Sequence, residues 1–176
     1  MQLKLAELFK YQEKLDSTIL REKGIDLSVK GEEIKKKKIL ALITELSELA
    51  NEWRGFKYWS RKPEGKRDRM LEEYVDCLHF ILSLGIQEGV VEDLQTLYTE
   101  DMFTSSNTVE ITEKFKDTFK KVLLFDGSVF SPKTDFYYMI YDFLELGDAL
   151  GFSGGEVESQ YKMKNGINES RQFNGY

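Results

Sequence analysis

A single cysteine, Cys77, leaves the chain unable to close a disulfide within itself, and nothing in it asks for an oxidising compartment. Proline is nearly as scarce: Pro63 and Pro132 are the only two in 176 residues, so long stretches run without a helix breaker. No apolar run approaches the ~20 residues that a membrane helix needs. The charged opening Met1-Gln2-Leu3-Lys4-Leu5-Ala6-Glu7 has no signal-peptide core. An excess of positive charge is missing too. With 25 basic and 31 acidic residues the net charge is −6, which argues against a general nucleic-acid binder, whose affinity comes from neutralising phosphates. That balance does not exclude a mononucleotide arriving with its own metal ions. The expectation is a cytoplasmic protein with neither a membrane nor a nucleic-acid partner.

What is present is helical. Hydrophobic residues make up 41% and charged residues 32%, enough to bury a core in one domain over residues 1–176. Apolar residues three and four apart predict an all-α bundle. The first helix is expected over 2–22, with Leu5, Leu8, Tyr11 or Gln12, Leu15 and Ile19 inward and Gly24 ending it. The second is expected over 31–53, with Ile39, Leu42, Leu46, Leu49 and Trp53 as its stripe. A loop from Gly55 to Gly65 carries Pro63, and the third helix, 66–88, buries Met70, Tyr74, Cys77, Leu78, Ile81 and Leu84. Further helices are expected over 91–102, 109–124, 133–150 and 154–165. Asp126-Gly127-Ser128 with Ser131-Pro132 forms one break, and Gly151-Phe152-Ser153 another. The aromatic run Phe136–Tyr141 reads as core or as a subunit contact.

Two acidic pairs stand out against this frame. Glu45-x-x-Glu48 and Glu73-x-x-Asp76 lie on consecutive long helices, and at i/i+3 both carboxylates of a pair leave one helix face. A single such pair is ordinarily a solvated surface. Here, however, the acids border the apolar stripes, and Phe80 lies one turn beyond the second pair. Packed antiparallel, the two helices would gather four negative charges, which raise one another's pKa unless a cation lies between them. Oxygen-only ligands favour hard ions, Mg²⁺ or Mn²⁺.

Other segments carry groups suited to a phosphorylated ligand, each with a plainer alternative. In the loop Gly55-Phe56-Lys57-Tyr58-Trp59-Ser60, Lys57 would meet phosphate oxygens and Trp59 would stack on a heterocycle; the alternative is a hydrophobic plug. Near the C-terminus, Lys162, Lys164, Asn168, Arg171 and Gln172 supply ammonium, guanidinium and amide donors that hold oxyanions, where a solvated tail is the alternative. His79 is the only histidine and follows Asp76 by three positions, within reach of a substrate hydroxyl or simply a boundary residue. Gln12 and Asp16, i/i+4, would read a base edge or face solvent.

Together these motifs resemble the dimeric, all-α dUTPases, relatives of the MazG-type nucleoside triphosphate pyrophosphohydrolases. The resemblance rests on Glu45-x-x-Glu48, Lys57-Tyr58-Trp59, Glu73-x-x-Asp76-x-x-His79-Phe80 and Lys164-Asn165-x-x-Asn168-x-x-Arg171-Gln172-x-x-Gly175-Tyr176. Gln12-x-x-Leu15-Asp16 is similar to the first motif. The resemblance implies a Mg²⁺-dependent homodimer hydrolysing dUTP, and dUDP, to dUMP, with attack at the β-phosphorus. Glu45, Glu48, Glu73 and Asp76 would hold the metals, and Glu45 would orient or deprotonate the attacking water. Gln12 and Trp59 would form the uracil pocket, His79 and Phe80 the deoxyribose side. Lys57, Lys164, Asn168 and Arg171 would hold phosphates. Asp16 departs from the Asn found in some members. Two rival readings stay open from sequence: a related pyrophosphohydrolase for another nucleotide such as dCTP, and a non-enzymatic helical interaction protein.

Overall fold

Breakers and caps set the helix ends. Gly24 takes a left-handed φ of +61°, and the Lys23 and Ile25 amides fold back onto the Ile19 and Leu20 carbonyls at 2.9 and 2.8 Å, closing the first helix. Asp26 then starts the second by accepting the Ser28 amide at 2.8 Å. Ser131 caps another helix with Pro132 in its first turn, and Ser153 with Glu156 forms a capping box.

The computed structural model describes residues 1–62, 65–91, 97–98, 108–127 and 131–175. Among them are six helices: α1 (Leu5–Glu22), α2 (Leu27–Trp53), α3 (Arg67–Gln87), α4 (Thr108–Gly127), α5 (Pro132–Ala149) and α6 (Gly154–Phe173). Two short strands, β1 (Gln2–Leu3) and β2 (Leu97–Tyr98), pair antiparallel with Leu3 opposite Leu97. No helix among the described residues is long and apolar enough to cross a membrane.

The all-helical expectation holds apart from that two-residue ladder, with several boundaries corrected. Gln2 and Leu3 are strand instead of helix. Of the helix expected over 91–102, Leu97 and Tyr98 are strand, Val91 is not α-helical, and the other residues lie outside those described. The second helix begins four residues earlier than expected, because the Asp26 cap outranks the lysine-rich turn. Asp126 and Gly127 finish α4 and do not break the chain; Ser128, Pro63 and Tyr176 lie outside the described residues. The last helix runs eight residues past the expected end at 165, straight through Gly166. Packing against α1 and α3 overrides the local helix-stop signal there.

The core centres on α3, which α1, α2, α5 and α6 all touch. Every apolar residue expected inward on α2 and α3 is buried. In α1, Leu5, Leu8, Gln12 and Leu15 are buried as expected, Ile19 only partly, and Phe9 joins them. The α4–α5 hairpin closes the core: Phe115 meets Trp53 at 5.2 Å between ring centroids, and Phe143 stacks on Tyr74 at 4.2 Å. Phe136, Met139 and Ile140 are core, while Tyr138 and Tyr141 stay partly exposed.

One close approach depends on a missing side chain. A Cβ on Gly85 would lie 2.6 Å from the Phe136 ring and 3.1 Å from that of Phe9, both buried. Gly85→Ala should therefore destabilise the fold by about 1–3 kcal/mol through overpacking, read as a lower urea midpoint with unchanged slope.

Candidate active site

Antiparallel packing of α2 on α3 brings Glu45 opposite Glu73 and Asp76. One carboxylate oxygen from each of these three lies within 4.8 Å of the others. Glu73 is only 7% exposed, while Glu45 and Asp76 are half-buried. Glu48, one turn along α2, is exposed and lies outside the trio. Its charge is still felt: burial first, then Asp76, Glu48 and Glu73, push the Glu45 carboxyl up to about 7. Burial and Asp76 likewise raise Glu73. Burial raises Asp76 as well, even against the Lys164 ammonium 2.7 Å away. Lys164, from α6, also reaches Glu72 at 3.3 Å, and Arg69 lies 3.6 Å from Glu73.

This donor set suits a hard divalent cation. It offers oxygen ligands only, as Mg²⁺ and Mn²⁺ prefer, and its raised pKa values mark negative charge that the protein's own cations leave incompletely compensated. Lys164 on Asp76 shows where positive charge is wanted.

A cleft of about 450 Å³ opens from this cluster. Glu45 and Asp76 stand at one end, and α6 supplies a wall through Lys164, Asn168 and Arg171, spaced i, i+4, i+7 on one face. Gln12 and Asp16 from α1 face them, with His79, Phe80 and Ser83 from α3 between. The far end is apolar, lined by Ile19, Leu20, Ile25 and Ile34, with Lys38 beside them.

A polar chain crosses the floor. The Asp16 carboxylate accepts from Gln12 Nε2 at 2.7 Å, and because an ionised carboxylate can only accept, this fixes the amide's orientation. Gln12 Oε1 then faces inward and accepts the Tyr161 hydroxyl at 2.6 Å. It also lies 2.8 Å from His79 Nδ1, so Nδ1 carries the imidazole proton. Burial, with Lys164 adding to it, holds the His79 pKa at about 3, and its ring stacks on Tyr161 at 4.1 Å. His79 is therefore neutral, with a bare acceptor at Nε2. That atom is buried and has no hydrogen-bond partner among the described residues.

Of the residues singled out from sequence for a ligand role, ten line the cleft: Gln12, Asp16, Glu45, Asp76, His79, Phe80, Lys164, Asn168, Arg171 and Gln172. Glu73 completes the carboxylate trio beside it, and Glu48 flanks the trio. Lys57 and Trp59 do not line it. Lys57 instead contacts Asn51 and lies over the Phe56 ring, and Trp59, 65% exposed, packs edge-on against Tyr58. Sequence reading missed Lys38, Ser83 and Tyr161. The signal was available: Lys38 lies seven residues before Glu45, Ser83 seven after Asp76, and Tyr161 three before Lys164, each on the face already marked.

A family model described as dUTPase matches residues 4–176. No curated protein matches the chain.

The raised Glu45 pKa sets a pH dependence. The folded protein binds this proton more tightly than the unfolded chain does, so the contribution is stabilising at low pH and is lost as pH climbs from about 4.5 through about 7. Without divalent cations, the melting temperature should fall between pH 5 and pH 8. Glu45→Gln should flatten that fall, and added divalent cation should reverse it at pH 8; a wild-type melting temperature indifferent to cation would contradict the reading.

Proposed function

The chain belongs to the dUTPase family, and from that membership we propose Mg²⁺-dependent hydrolysis of dUTP, and of dUDP, to dUMP by a homodimer. Belonging to this family makes the chain an enzyme of the dUTP diphosphatase kind, which sets aside the reading as a helical interaction protein. The observation that carries the finer proposal is the convergence of the Glu45, Glu73 and Asp76 carboxylates within 4.8 Å at the mouth of a cleft able to hold a nucleotide.

Glu45, Glu73 and Asp76, with Glu48 alongside, would hold Mg²⁺, which when bound neutralises phosphate charge and lowers the pKa of a water. The chain's own groups supply the positioning on which phosphoanhydride hydrolysis chiefly depends. Glu45, at the centre of the carboxylate cluster, would orient or deprotonate an attacking water directed at the β-phosphorus. Lys164, Asn168 and Arg171 present donors along one wall for phosphate oxygens. Lys164, now 2.7 Å from Asp76, would be a donor for phosphate oxygens were that carboxylate to hold a metal. His79 Nε2, an acceptor without a donor, takes a hydrogen bond from a sugar hydroxyl. Phe80, half-buried at the cleft, crowds the 2′ side and disfavours ribonucleotides. Lys57 and Trp59 keep their proposed phosphate and uracil roles only if the loop that carries them moves or is supplied by the second subunit.

A turnover panel of dUTP, dUDP, dCTP, dTTP and UTP with Mg²⁺ tests the assignment, and dUTP and dUDP should lead it. Preference for dCTP would favour the related pyrophosphohydrolase instead. Mg²⁺ with a non-hydrolysable dUTP analogue should raise the melting temperature by mass action. Asp76→Asn should lower kcat/KM for dUTP by about 10²–10³-fold with the helical circular-dichroism signal retained, and Glu48→Gln should also lose activity. Full turnover in either variant would refute the metal assignment.

A further inference from the structure

The cleft has a second polar level that the carboxylate trio does not use. Lys38 stands seven residues before Glu45 on α2, and Ser83 stands seven after Asp76 on α3. Because the helices are antiparallel, the Lys38–Ser83 level lies about 10 Å along them from the Glu45–Asp76 level. That span is comparable to the reach of one nucleoside from its phosphate to its base edge.

Lys38 is built into this level. Its side chain is 14% exposed, and its ammonium donates to the Ser83 carbonyl at 3.3 Å and to Gln87 Oε1 at 3.1 Å. For the third proton, Asp16 Oδ2 lies 3.8 Å away, too far for a hydrogen bond. A cation with a donor unused among the described residues, set beside Ile19, Ile25 and Ile34, is the kind of polar group that orients a ligand in an otherwise apolar pocket. Asp16 balances the charge but is itself engaged. Its Oδ1 accepts from Gln12 at 2.7 Å and its Oδ2 from the Ser83 hydroxyl at 2.5 Å.

We propose that Lys38 determines base specificity, its unused ammonium proton donating to the 4-keto oxygen of uracil while the isoleucines cover the ring. The inference rests on the dUTP reading above. A nucleotide anchored by its phosphates at the Glu45–Asp76 level brings its base edge to Lys38. Cytosine places an amino group at that position, so N–H would face N–H and the buried ammonium would lose its partner.

Calorimetric binding of dUMP, dCMP and the deoxynucleotide of 2-pyrimidinone, which lacks the 4-oxygen, tests this without turnover. The wild-type protein should bind dUMP about 10- to 100-fold more tightly than either alternative, the range for a hydrogen bond to a charged group. Lys38→Met should bring all three within about 3-fold of one another. Equal wild-type affinity for dUMP and the 2-pyrimidinone nucleotide would overturn the proposal. Tighter binding of dCMP, or an undiminished preference in a folded Lys38→Met protein, would do the same. The wild-type comparison decides even where the variant fails to fold. Normal dUTP turnover beside an overturning result leaves the dUTPase reading standing and removes Lys38; absent turnover with the base preference intact does the reverse.

Discussion

Beyond its first turn, helix α3 has almost no solvated face. Tyr74, Val75, Cys77, Leu78, Ile81 and Leu82 are fully buried, and four other helices lean on it. Acidic residues carried by such a helix cannot be fully hydrated, and burial is the largest cause of the raised pKa at Glu73 and Asp76, as it is at Glu45 across from them. Like-charge repulsion comes second at Glu45 and Glu73, whereas at Asp76 the opposing Lys164 ammonium outweighs it. Holding charges there costs several kcal/mol per ion when uncompensated, while each large apolar side chain buried on α3 contributes about 1.5–3 kcal/mol. The packed core thus offsets an electrostatic cost that a surface helix would never incur, and the cost is what makes the site ready for a cation.

A second constraint runs along the cleft floor. Asp16 can only accept, so Gln12 must turn its amide nitrogen outward. The Gln12 oxygen then requires donors, which Tyr161 and His79 Nδ1 provide. Burial keeps the imidazole neutral, and its free lone pair is left at Nε2. One carboxylate at the start of the chain of contacts therefore decides the tautomer of a histidine two hydrogen bonds away. An asparagine at position 16 could satisfy Gln12 in either orientation and would impose no such order.

Much of this was legible in sequence because it rests on helical period. Leu42, Leu46 and Leu49, and Tyr74, Leu78 and Ile81, fall inward as their spacing requires, and the same spacing places Glu45, Glu73 and Asp76 at one edge. What period cannot settle is how deep an edge position lies. Glu48 shares the helix face of Glu45 yet stays exposed, a difference in depth that spacing alone does not encode. Loop residues were less legible still: Trp59 and Lys57 carry suitable chemistry, but nothing local to the sequence fixes where an irregular segment points. The strand at Gln2–Leu3 was hidden for another reason, since its partner, Leu97–Tyr98, is distant in sequence and pairing of that range leaves no local pattern.

The placement of both cleft levels on the same two helices has a mechanical consequence. The distance from Glu45–Asp76 to Lys38–Ser83 is set by helical rise, about 1.5 Å per residue, and not by a loop that thermal motion would lengthen or shorten. Sites built on helices hold their geometry more closely than sites on loops. A ligand that spans both levels is thus measured against a rigid ruler, and one that is shifted by an ångström at the base end is shifted by the same amount at its phosphates. With a nucleotide seated as proposed, base recognition and phosphate positioning would not be separate properties: an incorrect base edge, by failing to seat beside Lys38, would displace the phosphates from Glu45 and Asp76, where a loss of alignment is felt as a loss of rate.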